Sequence, residues 1–486
     1  MAPHQRQELA RLAADAMHER GLQPEFSKDV LRQAAAIDAP GDEAGDGIAD
    51  LTALLWCSID NDDSRDLDQL TVSEPLADGG VRLFVAIADV DVLVAKDTPI
   101  DQHARSNTTS VYTGARIFPM LPEKLSTDFT SLNPGEARLA IVTEMRFAPD
   151  GTLHQSRIHR ARVFNHAQLA YDSVAAWIEG DGPLPEAAAA VPGLDQQLRT
   201  QDAVAQQLRA RRREHGALEF QTLQPKAVFG ADEQVVAIRQ QVQNRARQLI
   251  EEFMIATNGV TATFLTGRKR ASLRRVVRSP ERWARIVEVA AEYGASLPAE
   301  PDSLALEKFL AAQRQRDPLR FPDLSLVIVK LMGSGEYVVH VPGREPVGHF
   351  GLAVRDYSHS TAPNRRFPDL ITQRLLKATL RNDNAPYAHA ELDHLAAHCT
   401  QQEDAANKVE RQMRKSEAAL LLERHIGRSF DAVVTGVAKG NRWVRIFEPP
   451  AEGLLRSRLD VRVGHKLRVR LVSTDVERGF IDFEAA

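Results

Sequence analysis

Apolar positions along this chain form helical stripes near its start and in its second half, with short β-like runs between them. The first stretch predicts two helices, one ending near Gly21 and the next beginning at Ser27. The run 81–90 is short and rich in β-branched residues, which is typical of a buried strand. Residues 243–265 and 399–423 predict long helices, the former strongly amphipathic.

Further patterns predict β-structure and a linker. The apolar stretch 326–341, interrupted by Gly333 and Gly335, predicts a hairpin. Residues 427–483 alternate in short strands separated by Gly, Pro and Asp turns, which predicts a small closed barrel. This barrel resembles the OB-type RNA-binding domain first named for a ribosomal small-subunit protein. The Gly, Pro and Asp content of 39–47 predicts a linker.

The composition is that of a globular protein from a reducing compartment. Its 486 residues allow about three domains of about 150 residues, and 43% hydrophobic content is ample for a large core. We expect no signal peptide, there is no apolar run of about 18 residues, and the only cysteines are Cys57 and Cys399. We therefore expect a soluble, cytoplasmic monomer with no membrane association and no cysteine metal site.

The charge of the chain is unevenly distributed. A net charge of −5 argues mildly against nucleic-acid binding, because phosphate contacts require basic surfaces. Global charge is a blunt test, since an acidic cluster can mask a local basic channel. Residues 426–486 hold 11 Lys/Arg and 8 Asp/Glu, a local +3 that suits an RNA-facing barrel. Within it, Trp443 belongs to either an RNA-stacking platform or the barrel core.

The stretch 58–70 concentrates acidic residues more than any other part of the chain. It places five aspartates within nine positions, between two apolar runs. Like charges this close repel unless a cation neutralises them, and hard oxygen ligands favour magnesium or manganese. Asp66 and Asp68 alternate along an extended segment and so share a face, with Asp60 six positions earlier.

The acidic stretch has two other interpretations. A calcium loop of the EF-hand kind fails, because Arg65 stands where that loop needs glycine and Thr71 where it needs glutamate. A solvated acidic turn is the commoner explanation of an Asp-rich loop, and the residues alone leave it open.

The spacing S-I-D-x5-D-x-D resembles the metal-binding signature T-I-D-x5-D-x-D-D of the RNase II / RNase R (RNB) family of 3'-to-5' exoribonucleases. The resemblance continues in the same order through IADVDVLVAKDTPID, TTSVYTGARIFPMLPEKLSTDF, LIEEFMIATN, HFGLAVRDYSHSTAPNRRFPDL and the helix bearing ERQMRKSE. It spans roughly residues 50 to 420, which coincidence does not explain. An α+β fold is implied, in which a mixed β-sheet surrounded by helices is followed by the OB-type barrel.

The resemblance implies hydrolysis of single-stranded RNA from the 3' end to nucleoside 5'-monophosphates. Asp60, Asp66 and Asp68 match the ligands of Mg²⁺, with Mn²⁺ as the other candidate, and Asp68 matches the carboxylate on which catalysis depends most. Arg365 matches the arginine that contacts the phosphate beside the scissile bond, where a planar fork suits bidentate binding. Glu410 matches a glutamate near the terminal nucleotide, although an ordinary surface glutamate on a helix is also consistent with the sequence.

The resemblance also implies RNA-binding positions. Tyr112 matches the tyrosine that stacks on a base near the 3' end, as single-strand binders favour. Phe220 stands where the family has a second aromatic clamp, in a looser alignment. Arg275 matches an arginine of a strand and turn block, in which Val277 replaces a common histidine. The barrel residue Trp443 completes the RNA-binding set.

Gln69 departs from the family signature, because it stands where the fourth aspartate is expected. A neutral amide is a poorer magnesium ligand, so metal affinity should be weaker. The alternative function is therefore a catalytically weak or silent RNA-binding protein of the RNB fold. A DNA nuclease is disfavoured only by the family match.

The predicted domains are 1–46, 47–424 and 425–486. The first is helical, either a helix-turn-helix RNA-binding segment or a plain helical appendage, and is too short for the two cold-shock barrels that this family usually carries. The second is the RNB catalytic domain and the third is the OB-fold domain. We predict that deleting residues 1–46 alters RNA affinity or duplex handling but leaves single-strand cleavage intact.

Overall fold

A seven-stranded mixed sheet organises the computed structural model, which describes residues 5–43, 47–221, 224–241, 243–318, 320–438 and 440–486. The α-helices of these residues are α1 Gln5–Glu19, α2 Lys28–Ala35, α3 Pro99–Asn107, α4 Tyr171–Glu179, α5 Glu186–Ala189, α6 Leu194–Glu214, α7 Arg245–Gly267, α8 Trp283–Glu292, α9 Ser303–Arg316, α10 Phe321–Met332, α11 Phe367–Leu380 and α12 His389–Glu423. The strands are β1 Ile48–Asp50, β2 Cys57–Asp60, β3 Gln69–Pro75, β4 Val81–Ala88, β5 Val111–Tyr112, β6 Ile117–Phe118, β7 Ala137–Phe147, β8 Leu153–Phe164, β9 Ala167–Ala170, β10 Gln224–Phe229, β11 Val235–Gln241, β12 Ser272–Val276, β13 Glu336–His340, β14 Ser429–Ala438, β15 Asn441–Ile446, β16 Ala451–Leu455, β17 Lys466–Asp475 and β18 Phe480–Ala485.

The sheet has the order β1-β8-β7-β4-β3-β2-β9. The outer pairs β1·β8 and β2·β9 are parallel and the inner pairs are antiparallel. Strands β3 and β4 are almost wholly buried, and β4 is the apolar run predicted at 81–90. Because Cys57 on β2 lies opposite Thr71 on β3, the end of β2 and the beginning of β3 meet at one edge. The acidic stretch connects these two strand ends.

The predicted long helices are confirmed. Helix α7 covers the amphipathic segment and packs in the main core through Leu249 and Phe253. Helix α12 extends the predicted C-terminal helix backward by about three turns and runs 35 residues. It contributes to the main core, to a second core cluster with α1 and to the core of the barrel.

The hairpin predicted at 326–341 is wrong. Residues up to Met332 form helix α10, and only β13 is a strand. It pairs antiparallel with β12 and not with the segment 326–332. A short apolar run does not by itself distinguish a strand from a buried helix. Pro322 in the first turn, where its missing N–H costs nothing, is the helix signal that the apolar run obscured.

The two predicted N-terminal helices are confirmed. The apolar stripe of α1 is fully buried, and the Ser27 side chain accepts a hydrogen bond from the Val30 N–H as the cap of α2. The stripe of α2 is only partly buried, because Leu31 is 52% exposed while Val30 and Ala34 are covered. The linker predicted at 39–47 includes residues 44–46, which lie outside the described residues.

The C-terminal barrel is closed, in the order β14-β15-β16-β18-β17, as predicted. On β15, Val444 and Ile446 point into the barrel core, so Trp443 and Arg445 lie on the outer surface. Arg445 donates to Asp323 of α10 at 2.8 Å, which joins the barrel to that helix. The predicted α+β fold class is thus confirmed. No helix among the described ranges is long and apolar enough to cross a membrane.

Candidate active site

The acidic stretch is a fixed loop at the edge of the sheet. Asp60 ends β2 and Asp68 immediately precedes β3. The Leu67 N–H donates to the Ser131 hydroxyl at 2.9 Å, and the Asp68 carbonyl accepts the Ala88 N–H at 3.0 Å. The backbone that carries the aspartates is therefore held from both sides.

Asp68 meets the predicted arginine loop. One carboxylate oxygen accepts the Asn364 N–H at 3.0 Å, and the other accepts Arg365 Nε at 3.2 Å. These partners come from 296 and 297 positions away in sequence. The Asp68 side chain is 5% exposed and that of Arg365 is 48% exposed. Arg365 therefore anchors one nitrogen on the carboxylate while its guanidinium reaches open space.

The loop that carries Arg365 is held by the first turn of α11. Asp369 accepts the Ala362 N–H at 2.9 Å and a guanidinium nitrogen of Arg366 at 2.8 Å. The Arg365 carbonyl accepts the Ser110 N–H at 3.0 Å. The loop is thereby tied to the segment that leads into Tyr112.

Tyr112 lies between Asp66 and Glu410. Its hydroxyl donates to Asp66 Oδ2 at 3.1 Å, and its backbone N–H donates to Glu410 Oε1 at 3.0 Å. Glu410 also pairs with Arg414 at 3.7 Å, so the surface-helix interpretation describes only part of its environment. The structure thus brings together Asp66, Asp68, Tyr112, Arg365 and Glu410.

Asp60 is surrounded by residues that the sequence analysis did not single out. It accepts the Asn61 N–H at 2.7 Å and the Ser64 hydroxyl at 2.9 Å. Arg247 donates to Asn61 Oδ1 at 2.9 Å and stacks 4.4 Å from the Tyr171 ring centroid. Burial and the charge of Asp60 raise the pKa of Tyr171. Tyr171 directly follows β9, the parallel neighbour of β2, but no spacing in the sequence shows that pairing.

The electrostatics of the loop favour an added cation. Burial raises the pKa of Asp68 to about 7, against the pull of Arg365 and with the added repulsion of Asp66. Burial also raises the pKa of Asp66, and the charge of Asp60 adds to it. Three hard carboxylates that repel one another match the donor chemistry of a divalent ion. Each is presently bonded to protein donors, and within the described ranges no three or more His, Cys, Asp or Glu side chains converge as a ready metal cage.

Gln69 takes a structural role at the position of the missing carboxylate. Its Nε2 donates to the Ile59 carbonyl oxygen at 3.1 Å, just before Asp60. Its Oε1 is buried without a hydrogen-bond partner. The side chain thus ties the ends of β2 and β3 together.

Two cavities contain residues predicted from the sequence, and the first of them adjoins the acidic loop. One of about 360 Å³ is lined by Asp66, Tyr112, Lys226 and Glu417, among others. The second, of about 420 Å³, is lined by Phe220, Arg212 and both Glu251 and Glu252. Phe220 also packs against the helical cluster of α8, α9 and α10. Phe220 therefore lies in a different cavity from Tyr112.

Arg275 and Trp443 lie apart from the aspartates. Arg275 forms a bidentate ion pair with Glu403 of α12, at 2.7 and 2.9 Å, and stacks 4.9 Å from the Tyr337 ring centroid. A Cβ at Gly335 would lie 2.6 Å from this guanidinium, so a larger residue at 335 would displace the Arg275 side chain. Trp443 is half-buried on the outer face of the barrel.

Comparison with known proteins identifies the family to which the chain belongs. Residues 48–382 match the family model described as the RNB domain, and residues 428–486 match that of the RNase II-type exonuclease C-terminal S1 domain. The chain belongs to the RNB family, which confirms the resemblance read from the acidic signature.

Individual relatives and solved structures are similar to this chain over most of its length. Ribonuclease R of Vibrio cholerae is 33% identical over 89% of this chain and 53% of its own length. The structure of Mycoplasma genitalium RNase R in complex with ribose methylated single-stranded RNA has a TM-score of 0.87 at 22% identity, covering 98% of this chain and 77% of that one. Yeast Ssd1, a pseudonuclease, has a TM-score of 0.73 at 14% identity, covering 92% and 55%. The chain spans about half the length of the curated relatives it matches.

Proposed function

We propose that this protein is an exoribonuclease that hydrolyses single-stranded RNA from its 3' end and releases nucleoside 5'-monophosphates. The observation that carries the proposal is the meeting of Asp66 and Asp68 with Arg365 and Tyr112. Relatives named ribonuclease R support the reaction, and RNA-bound structures of the Mycoplasma enzyme support the substrate.

The metal is proposed to be Mg²⁺, with Mn²⁺ as a substitute, held by Asp60, Asp66 and Asp68. Bound there, the ion would supply an activated water and neutralise charge on the phosphate. Nucleases of the RNB family generally need a divalent metal, and the mutual repulsion of these carboxylates fits that need.

Arg365 is proposed to bind the phosphate at the scissile bond. Asp68 fixes the Nε side of its guanidinium, and the Asn364 N–H holds Asp68 in turn. A pre-oriented planar fork stabilises the charge that builds on the phosphate without reorganising during the reaction. Glu410 lies beside the terminal nucleotide in this scheme and holds the backbone of Tyr112.

Tyr112 is proposed to stack on the base at the 3' end, because aromatic stacking binds any base without selecting its sequence. Phe220 and Arg275 are proposed to line the RNA path farther along, and Trp443 to bind RNA on the barrel. We propose that residues 47–424 form the catalytic domain and 425–486 the RNA-binding barrel. The cytoplasmic location, the monomeric state and the separate role of residues 1–46 stay predictions.

A catalytically silent RNA-binding protein is the second candidate. Gln69 favours it, because one possible metal ligand is missing, and a pseudonuclease has the same fold. The retained aspartates, with Arg365 paired to Asp68, favour the enzyme.

The test is a time course on 5'-labelled single-stranded RNA with Mg²⁺, beside DNA of the same sequence. We expect a descending ladder from RNA only, and none from the Asp68→Asn variant. Asp62→Asn is the matched control, because Asp62 is exposed in the same loop. Arg365→Lys keeps the charge but loses the fork, and should slow cleavage by about 100-fold. RNA binding without cleavage by the unmodified protein would leave the silent binder.

A further inference from the structure

Helix α12 carries three glutamates at intervals of seven residues, and each binds a group of another element. Glu403 binds Arg275, Glu410 accepts the Tyr112 N–H, and Glu417 accepts the Gly114 N–H at 2.9 Å. Residues seven apart lie on one face of a helix. Two of the three therefore act on the backbone of one short segment, the hairpin of β5 and β6.

This hairpin is too small to hold its own shape. Strands β5 and β6 have two residues each, and even a full two-stranded hairpin is marginal in water. Glu417 is only 2% exposed, and a Cβ at Gly114 would lie 2.7 Å from its Oε1. The chain thus places glycine where the carboxylate approaches the turn most closely.

The hairpin also shares a hydrophobic core with helix α1. A single hydrophobic cluster contains Leu9, Ala13 and Met17 of α1, Val111 and Phe118 of the hairpin, and Val409 and Met413 of α12. The apolar stripe of α1 is buried in this cluster. A helix whose stripe is buried in the catalytic body is not an independently packed module.

Polar contacts fix α1 and its following loop to the same segment. Arg6 Nε donates to the Ala115 carbonyl, in the hairpin turn, at 3.0 Å. Asn107, just before the hairpin, exchanges two hydrogen bonds of 2.8 Å with the backbone of Gln23. Arg20 donates to Gln412 of α12 at 2.7 Å.

We propose that α1 and the carboxylates Glu410 and Glu417 of α12 form a frame that positions the Tyr112 ring, and through it the base at the 3' end of the substrate. The inference rests on the proposed function and assigns the N-terminal helix to the active site. Arg6 and Glu417 are positioning residues in this frame, since both bind the backbone of the hairpin turn, Glu417 at Gly114 and Arg6 at Ala115.

The test uses the full-length Asp68→Asn variant as parent, so that RNA with 2-aminopurine at its 3' end is bound without being cleaved. Stacking on Tyr112 quenches the fluorescence of this base. We expect Arg6→Met and Glu417→Leu each to weaken the quenched complex about fivefold, the factor that corresponds to one net protein hydrogen bond. Glu417→Gln should restore it, because its amide oxygen still accepts the Gly114 N–H.

Arg11→Met is the matched control, because Arg11 lies on the exposed face of α1 and pairs only with Asp15 among the contacts of the described residues. In the Asp68-containing protein, Arg6→Met and Glu417→Leu should raise KM more than they lower kcat. Quenching unchanged in both variants, equal loss in Arg11→Met, or no rescue by Glu417→Gln would each overturn the proposal. Absence of quenching in the parent would overturn it as well.

The outcomes distinguish a failure of this proposal from a failure of the proposed nuclease function. If unmodified protein fails to cleave RNA while quenching still responds to Arg6→Met and Glu417→Leu, the frame stands and the nuclease fails. If cleavage occurs and quenching does not respond, the nuclease stands and the frame fails.

Discussion

Gln69 shows how one substitution can change the role of a position. An aspartate accepts hydrogen bonds only, whereas the Gln69 amide donates to the Ile59 carbonyl. A carboxylate at this position would face that carbonyl and add a negative charge beside Asp68, whose pKa burial already raises. The amide therefore holds the loop without increasing its charge.

The expected cost of Gln69→Asp follows from this contact. Without metal, the variant should lose about 1 to 3 kcal/mol of unfolding free energy, because a buried acceptor loses its donor. Saturating Mg²⁺ should reduce the deficit, since the ion neutralises the added charge. Urea unfolding with and without Mg²⁺ measures both effects, with Gln69→Asn as control. An Asp variant as stable as the unmodified protein in the absence of metal would contradict the structural role of Gln69.

At the residue scale, spacing along the sequence predicted the acidic loop but not its partners. Asp60, Asp66 and Asp68 were found because they are close in sequence. The Asn364 N–H is 296 positions from Asp68, so local pattern could not reveal that bond. Tyr171 was missed because it reaches Asp60 through a strand pairing that periodicity does not encode.

Helix α11 positions the Arg365 loop from its first turn, and the helix is anchored by a buried charge network. Lys377 is 2% exposed, and its Nζ lies 2.8 Å from Asp89 and 3.0 Å from Asp91. Asp89 also pairs with Arg160 of β8 at 3.0 Å. The network therefore fixes the helix against the end of β4 and against β8.

Lys377→Met should destabilise the fold by about 3 kcal/mol, because removing one partner leaves a buried carboxylate undercompensated. Arg381→Met, at the end of the same helix, is the control. Its pair with Asp383 is half exposed, and its loss should cost less than about 1 kcal/mol. Urea unfolding of both variants gives the comparison. Equal losses would mean that the buried network does not anchor the helix.

At the element scale, long periodic helices were predicted well and short apolar runs were not. Helix α7 lies within about two residues of its predicted bounds, since its stripe repeats over many turns. Helix α10 was predicted as a strand because its second half, 326–332, is a short apolar run that does not by itself distinguish a strand from a helix. The tertiary position of the run, packed with α8 and α9, decides its structure.

For the whole molecule, the net charge of −5 does not reveal the local basic surface of the barrel. On β17, Val469 and Leu471 fill the barrel core while Lys466 and Arg468 are exposed. The α+β fold class was predicted from the family resemblance, and the barrel from its own pattern of short strands and turns. The docking of α1 against α12 was not predicted, because a buried stripe looks the same whichever surface covers it.

The exposed side of β17 carries a prediction about the salt dependence of RNA binding. If the barrel contacts phosphates, each lost contact should reduce the slope of log Kd against log salt by about 0.7, because fewer counterions are released. We expect this for the Lys466→Gln and Arg468→Gln variants, measured on single-stranded RNA with the Asp68→Asn parent. Arg285→Gln is the charge-matched control, since Arg285 is exposed on α8 and pairs with Glu288. Equal reduction in the control would mean that the total charge of the protein, and not the barrel surface, sets the electrostatic part of binding.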